Sequence, residues 1–135
     1  MRGFAILIAA LASAGPPALA NGSEDAEVCA EAEERYVELF GAPSAEAEGV
    51  HVVKMYEYRF CPREITVKVG ETVRWVNVDK RTSHSVIVGD EAESDRAFPE
   101  EVIEFTFPTT GGPFQVLCGP HWEQRGMIGG VTVVE

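Results

Sequence analysis

The chain of 135 residues carries 22 acidic and 11 basic side chains, a formal net charge of −11 at pH 7, and 45% of its residues are hydrophobic. This length and composition predict one small globular domain. Because an acidic surface repels nucleic acid and anionic lipid, the charge balance argues against nucleic-acid binding as a function.

The first twenty residues have the pattern of a cleaved secretory signal. Arg2 precedes an apolar run from Phe4 to Ala12, and the small-residue sequence Ala18-Leu19-Ala20 follows two prolines. The apolar run is about half of the ~20 residues that a membrane-spanning helix needs, so we expect no membrane span. Cleavage after Ala20 would leave 10 basic and 22 acidic side chains, a net charge of −12, on a periplasmic or secreted protein.

Residues 21–49 are predicted to form a helical extension and linker ahead of the main domain. A helix is expected over 23–40, because Ser23 can cap it, acidic residues follow in its first turn, and apolar residues share one face. That face consists of Val28, Ala32, Tyr36, Leu39 and Phe40. Gly41 and Pro43 are expected to end the helix.

Residues 50–135 change to two-residue alternation of apolar and polar side chains, which predicts an all-β domain. We expect seven strands, near 50–60, 64–69, 72–78, 84–88, 101–107, 113–118 and 127–134, with turn-forming residues between them. Seven short strands in roughly 85 residues predict an antiparallel β-sandwich of two sheets.

A cysteine, two histidines and a methionine near strand ends form a candidate metal site. Cys118 and His121 are three residues apart at the end of the sixth predicted strand, Met127 follows them, and His84 opens the fourth strand. A thiolate, two imidazoles and a thioether are the donors of a trigonal copper site with a weak axial ligand. A Cys-x-x-His pair can also be half of a structural zinc site, but no second pair completes one here.

Three segments of the chain resemble the cupredoxins, the blue copper proteins of the plastocyanin, amicyanin and pseudoazurin kind. They are Phe60-Cys61-Pro62 with the run 65–77, then His84-Ser85-Val86, and finally Cys118-Gly119-Pro120-His121. The resemblance covers residues 50–135 and implies a Greek-key sandwich that holds one type 1 copper and carries single electrons. It also implies that His84, Cys118 and His121 are the equatorial ligands and that Ser85 links the two ligand loops by a hydrogen bond.

The axial ligand is the point at which this chain departs from the families it resembles. Five residues separate His121 from Met127, whereas plastocyanin-like members have four and amicyanin-like members two, the spacing of Gln124 here. The pattern Met-x-Gly-x-Val-x-Val of the last strand nevertheless continues from Met127 without a gap. Because a loop lengthens more easily than a strand changes register, we predict Met127 rather than Gln124 as the axial ligand.

With Cys118 assigned to the metal, Cys29 and Cys61 are the remaining cysteines. In an exported protein they are expected to form a disulfide that holds the helix against the first strands, two free thiols being the alternative.

The leading functional interpretation is an exported electron carrier that is not an enzyme. A copper oxidase or nitrite reductase needs a second copper centre, and the sequence contains only three histidines. A periplasmic copper-binding or trafficking protein is the alternative, although its usual methionine-rich or histidine-rich tracts are missing. We expect a monomer whose partner is a redox protein, such as a basic cytochrome, because a charge of −12 attracts a basic surface.

Overall fold

The structure is a computed structural model that describes residues 20–135, with side chains from Glu24 onward. Helix α1 and a 3-10 turn, Ser44–Glu46, precede eight strands and a short helix, α2. These elements are α1 (Ala20–Phe40), β1 (Val50–Tyr56), β2 (Arg59–Cys61), β3 (Glu64–Lys68), β4 (Thr72–Asn77), β5 (Ile87–Val88), β6 (Val102–Thr106), β7 (Gly111–Leu117), α2 (Trp122–Arg125) and β8 (Ile128–Val134). The predicted signal, residues 1–20, lies outside the described range except for Ala20.

The eight strands form two four-stranded sheets, in the orders β2-β1-β4-β6 and β3-β8-β7-β5. Apolar side chains of both sheets share one buried cluster, which includes Met55, Val67, Trp75 and Val116, and this confirms the predicted β-sandwich. Each sheet contains one parallel pair, β1 with β4 and β3 with β8, so the sandwich is mixed rather than wholly antiparallel. The parallel pairs arise because the chain crosses to the other sheet before it returns beside an earlier strand.

The predicted first strand, 50–60, is two strands joined by a tight turn. Glu57 and Tyr58 have φ angles of 45° and 61°, in the left-handed region, and Tyr56 then pairs with Arg59 across the turn. The backbone N–H of Glu57 donates to Asp79 Oδ1 at 3.2 Å, which holds the turn against the end of β4. Non-glycine residues adopt this conformation only where the surroundings hold them in it.

Helix α1 packs on the outer face of the first sheet. Val28, Ala32 and Tyr36 are buried as predicted, and two of them, Ala32 and Tyr36, share a cluster with Val76 and Val78. Phe40 was expected on the buried face, but it is the last residue of the helix and is 44% exposed. No helix within residues 20–135 combines the length and the hydropathy that crossing a bilayer requires.

Polar and covalent contacts hold α1 in place as well. A disulfide between Cys29 and Cys61 joins the helix to β2, as predicted. The buried ammonium group of Lys54 lies 3.0 Å from Glu33 Oε2, and the Arg59 guanidinium lies 2.6 Å from Asp25 Oδ1. The helix is therefore part of the folded domain rather than a loosely attached extension.

Candidate metal centre

Three side chains from two segments of the chain come together, with their possible ligand atoms within 4.8 Å of one another. His84 lies in the segment after β4, Cys118 directly follows β7, and His121 directly precedes α2. The Sγ atom of Cys118 lies 3.7 Å from Nδ1 of His84 and 3.4 Å from Nδ1 of His121. The structure thus brings together the three residues predicted as equatorial ligands, whereas His51 lies apart in β1 and pairs with Glu71.

Burial shifts the pKa of two of these groups, Cys118 and His121. Cys118 and His84 have 0% exposure, while His121 is half-buried. Burial raises the pKa of the Cys118 thiol, and hydrogen bonds from the backbone of Ser85 and His121 oppose that rise only in part. Burial, together with the charge of His84, lowers the pKa of His121. In the metal-free protein near neutral pH, the thiol therefore keeps a proton that a bound metal must displace.

Met127 and Gln124 occupy very different environments. Met127 is fully buried, and its carbonyl oxygen accepts a hydrogen bond from the Cys118 N–H at 3.1 Å. Gln124 lies on α2 and is exposed. The segment after His121 forms this helical turn and ends at Gly126, whose φ angle of 65° closes it, and β8 then pairs with β7 without interruption from Ile128 opposite Leu117 to Val131 opposite Phe114. The residues between His121 and Met127 are therefore accommodated in a helical turn that precedes the strand.

Asp79 orients His84, and sequence reasoning missed this role. Its Oδ2 atom lies 2.5 Å from His84 Nε2, which leaves Nδ1 of the same ring facing Cys118. A carboxylate on the far nitrogen of a ligating histidine fixes its tautomer and raises its basicity. Asn77 in turn accepts a hydrogen bond from the Asp79 N–H at 2.9 Å. In the sequence, Asp79 is one of the turn-forming residues between two predicted strands, and its contact with His84 depends on how the loop folds.

Ser85 connects the two segments that carry the candidate ligands. Its Oγ atom accepts a hydrogen bond from the Gly119 N–H at 3.0 Å and donates one to Glu93 Oε1 at 3.1 Å. The first contact is the one that the resemblance implied. Because Gly119 directly follows Cys118, the hydrogen bond ties the cysteine segment to the residue next to His84.

The donor set fits copper better than zinc. One thiol and two imidazole nitrogens lie within 4.8 Å of one another, and the group contains no carboxylate among the residues that the structure describes. Soft sulfur and borderline nitrogen donors with a thioether nearby suit copper, whereas structural zinc takes a fourth cysteine, histidine or carboxylate. The residues present are thus suited to a mononuclear copper centre.

Comparisons with known proteins agree with this geometry. The family model for copper binding proteins of the plastocyanin/azurin family matches residues 47–134. Amicyanin from Paracoccus versutus is 31% identical over 83 residues, which span 57% of this chain and 61% of that protein. The crystal structure of that amicyanin superposes with a TM-score of 0.55 at 27% identity, covering 67% of this chain and 88% of the other. The structure of a reduced amicyanin variant superposes with a TM-score of 0.57 at 28% identity, covering 67% of this chain and 89% of the other. The chain therefore belongs to the plastocyanin/azurin family of copper-binding proteins.

Proposed function

We propose that this protein is an exported electron carrier in which His84, Cys118 and His121 bind one type 1 copper and Met127 is the axial ligand. Proteins of this family bind copper and carry electrons, and they are not enzymes. The observation that carries the proposal is the buried Cys118 sulfur, which lies within 3.7 Å of one nitrogen from each histidine.

The surrounding residues are suited to electron transfer because they hold the donors rigidly. Copper, when bound, supplies the one-electron couple between its two oxidation states. Asp79 fixes the ring of His84, and Ser85 ties the cysteine segment to it, so neither donor is free to rearrange. His121 is the one donor of the three that is only half-buried, and it offers electrons a short route to the surface. The direct test is copper titration and voltammetry of the chain beside its Cys118→Ser variant.

Two substitutions assign the axial ligand. Met127→Leu is expected to raise the reduction potential, because a hydrocarbon replaces a weak sulfur donor in a buried position. Gln124→Ala is the matched control on the same loop and is expected to leave the visible spectrum and the potential unchanged, since Gln124 is exposed. Voltammetry and absorption spectra measure both effects. A large change from Gln124→Ala with little from Met127→Leu would make Gln124 the ligand.

Export and domain division are part of the same proposal. Residues 1–20 would be a signal removed after Ala20, residues 21–49 a helical extension with its linker, and residues 50–135 the copper-binding domain. A disulfide between Cys29 and Cys61 supports an oxidising compartment such as the periplasm. The mass of the protein recovered from that compartment would show whether cleavage occurs there.

The proposed partner is a redox protein with a basic surface. The net charge of this protein, −11, or −12 without Arg2, would accelerate the approach of such a partner. Salt would weaken the attraction, because the Debye length is about 8 Å at 0.15 M. Electron-transfer rates with a basic cytochrome are therefore expected to fall as ionic strength rises. Stopped-flow measurements check this, with an acidic redox protein as the control. A rate that does not change with salt would count against a basic partner.

A further inference from the structure

The ring of Tyr58 packs against His121, and the side chain of Arg125 packs in turn on Tyr58. The rings of Tyr58 and His121 meet edge to face, with their centroids 4.8 Å apart and their planes at 77°. The guanidinium carbon of Arg125 lies over the Tyr58 ring, 4.1 Å from its centroid, which is within the range of a cation–π contact. We call Arg125 and Tyr58 the clamp.

The two histidines of the centre are held in different ways. His84 is fully buried, and Asp79 accepts a hydrogen bond from its Nε2. His121 is half-buried, and its Nε2 has no hydrogen-bond partner among residues 24–135. Packing against two neighbouring rings therefore sets the orientation of the His121 ring: that of His84, with its centroid 5.1 Å away, and that of Tyr58, which comes from the turn between β1 and β2.

Local backbone features bring both members of the clamp to this position. Tyr58 lies in the turn between β1 and β2 with a φ of 61°, and the Arg59 guanidinium stabilises the turn by donating to the carbonyl of Glu57 at 3.0 Å. Arg125 is the last residue of α2, the helical turn that the lengthened ligand loop forms. No carboxylate lies within ion-pair distance of Arg125 in the part of the chain that the structure describes, so the face of Tyr58 is the contact that its charge makes.

We propose that the clamp positions the His121 ring for copper before the metal arrives and keeps it there afterwards. The inference rests on the proposed function, in which His121 is a ligand. A ligand that is already oriented loses less conformational freedom on binding, so the clamp strengthens copper binding without touching the metal. Tyr58 is thus a positioning residue, and its ring rather than its hydroxyl is the part that acts, because the hydroxyl makes no hydrogen bond with residues 24–135.

Chelator competition for Cu(I) tests the proposal on the full chain. Tyr58→Ala is expected to weaken copper affinity roughly 10-fold, the lower end of what losing a residue that supports a ligand costs. Tyr58→Phe keeps the ring and should retain the parent affinity, whereas Arg125→Gln should lie between the two. Tyr56→Ala is the matched control, because Tyr56 is a half-buried tyrosine two residues away that packs toward α1 instead.

A second measurement needs no metal. Nuclear Overhauser contacts between the ring protons of Tyr58 and His121 are expected in the metal-free chain and should weaken in Arg125→Gln. Their absence, or an unchanged copper affinity in Tyr58→Ala, would overturn the clamp. An equal loss from Tyr56→Ala would do the same. If Tyr58→Ala fails to fold, Tyr58→Phe and Arg125→Gln still decide the matter. Unchanged copper binding in His121→Ala would instead overturn the proposed function, so the two failures are distinguishable.

Discussion

Replacing Cys118 with serine is expected to abolish the intense visible absorption and the reversible one-electron wave of the copper-loaded protein. The parent chain should bind one copper and show both signals, because the colour of such a centre comes from charge transfer between a thiolate and copper. A serine hydroxyl of similar size fits the same buried position but supplies no sulfur. Absorption spectroscopy and cyclic voltammetry on equal concentrations of loaded protein measure the loss.

The matched control for this substitution is His51→Ala. His51 is a histidine of the same chain that pairs with Glu71 away from the centre, so its removal should leave the spectrum and the potential intact. A Cys118→Ser protein that remains strongly coloured would show that the sulfur of Cys118 is not a copper ligand. Thermal melting of the metal-free variants verifies that both are folded.

Removing the disulfide with Cys29→Ser and Cys61→Ser together is expected to lower the free energy of unfolding by about 3–4 kcal/mol, because the crosslink no longer restricts the unfolded chain. The two cysteines are 32 residues apart in sequence, a span that gives the crosslink a substantial entropic effect. Urea denaturation of the metal-free protein, followed by tryptophan fluorescence, measures the difference.

The ion pairs of Lys54 with Glu33 and of Arg59 with Asp25 remain in the double variant, so the helix should still dock in the absence of denaturant. The visible spectrum of the copper-loaded double variant is the control, and it should match that of the parent because Cys61 lies in a different cluster from Cys118. A double variant as stable as the parent would contradict a stabilising disulfide.

Three of the candidate ligands, Cys118, His121 and Met127, could be predicted from the sequence because they lie close together in the chain. Cys118 and His121 lie three residues apart, and the pattern of the last strand locates Met127. The β-sandwich could be predicted because the alternation of apolar and polar side chains along a strand indicates which face of that strand is buried. Alternation does not report which strands become neighbours, so the parallel pairing of β1 with β4 could not be foreseen.

The contacts around the ligands could not be predicted, because they depend on how distant segments pack. Tyr58 belongs to a run that alternates like a continuous strand, and no glycine or asparagine in it marks the turn that brings Tyr58 to His121. Asp79 occupies a position typical of a turn, and its role follows only from the folding of its loop onto His84. Both residues act through geometry that a one-dimensional pattern does not contain.

The distribution of the candidate ligands between the two sheets has a thermodynamic consequence. His84 is on the segment that leaves the first sheet, whereas Cys118 and Met127 directly flank β7 and β8 of the second. A metal ion held by both segments would fasten one sheet to the other, as the disulfide fastens the helix to the first sheet. Resistance to unfolding would then depend on metal supply, with a gain of about 2.7 kcal/mol when free copper is 100 times the dissociation constant.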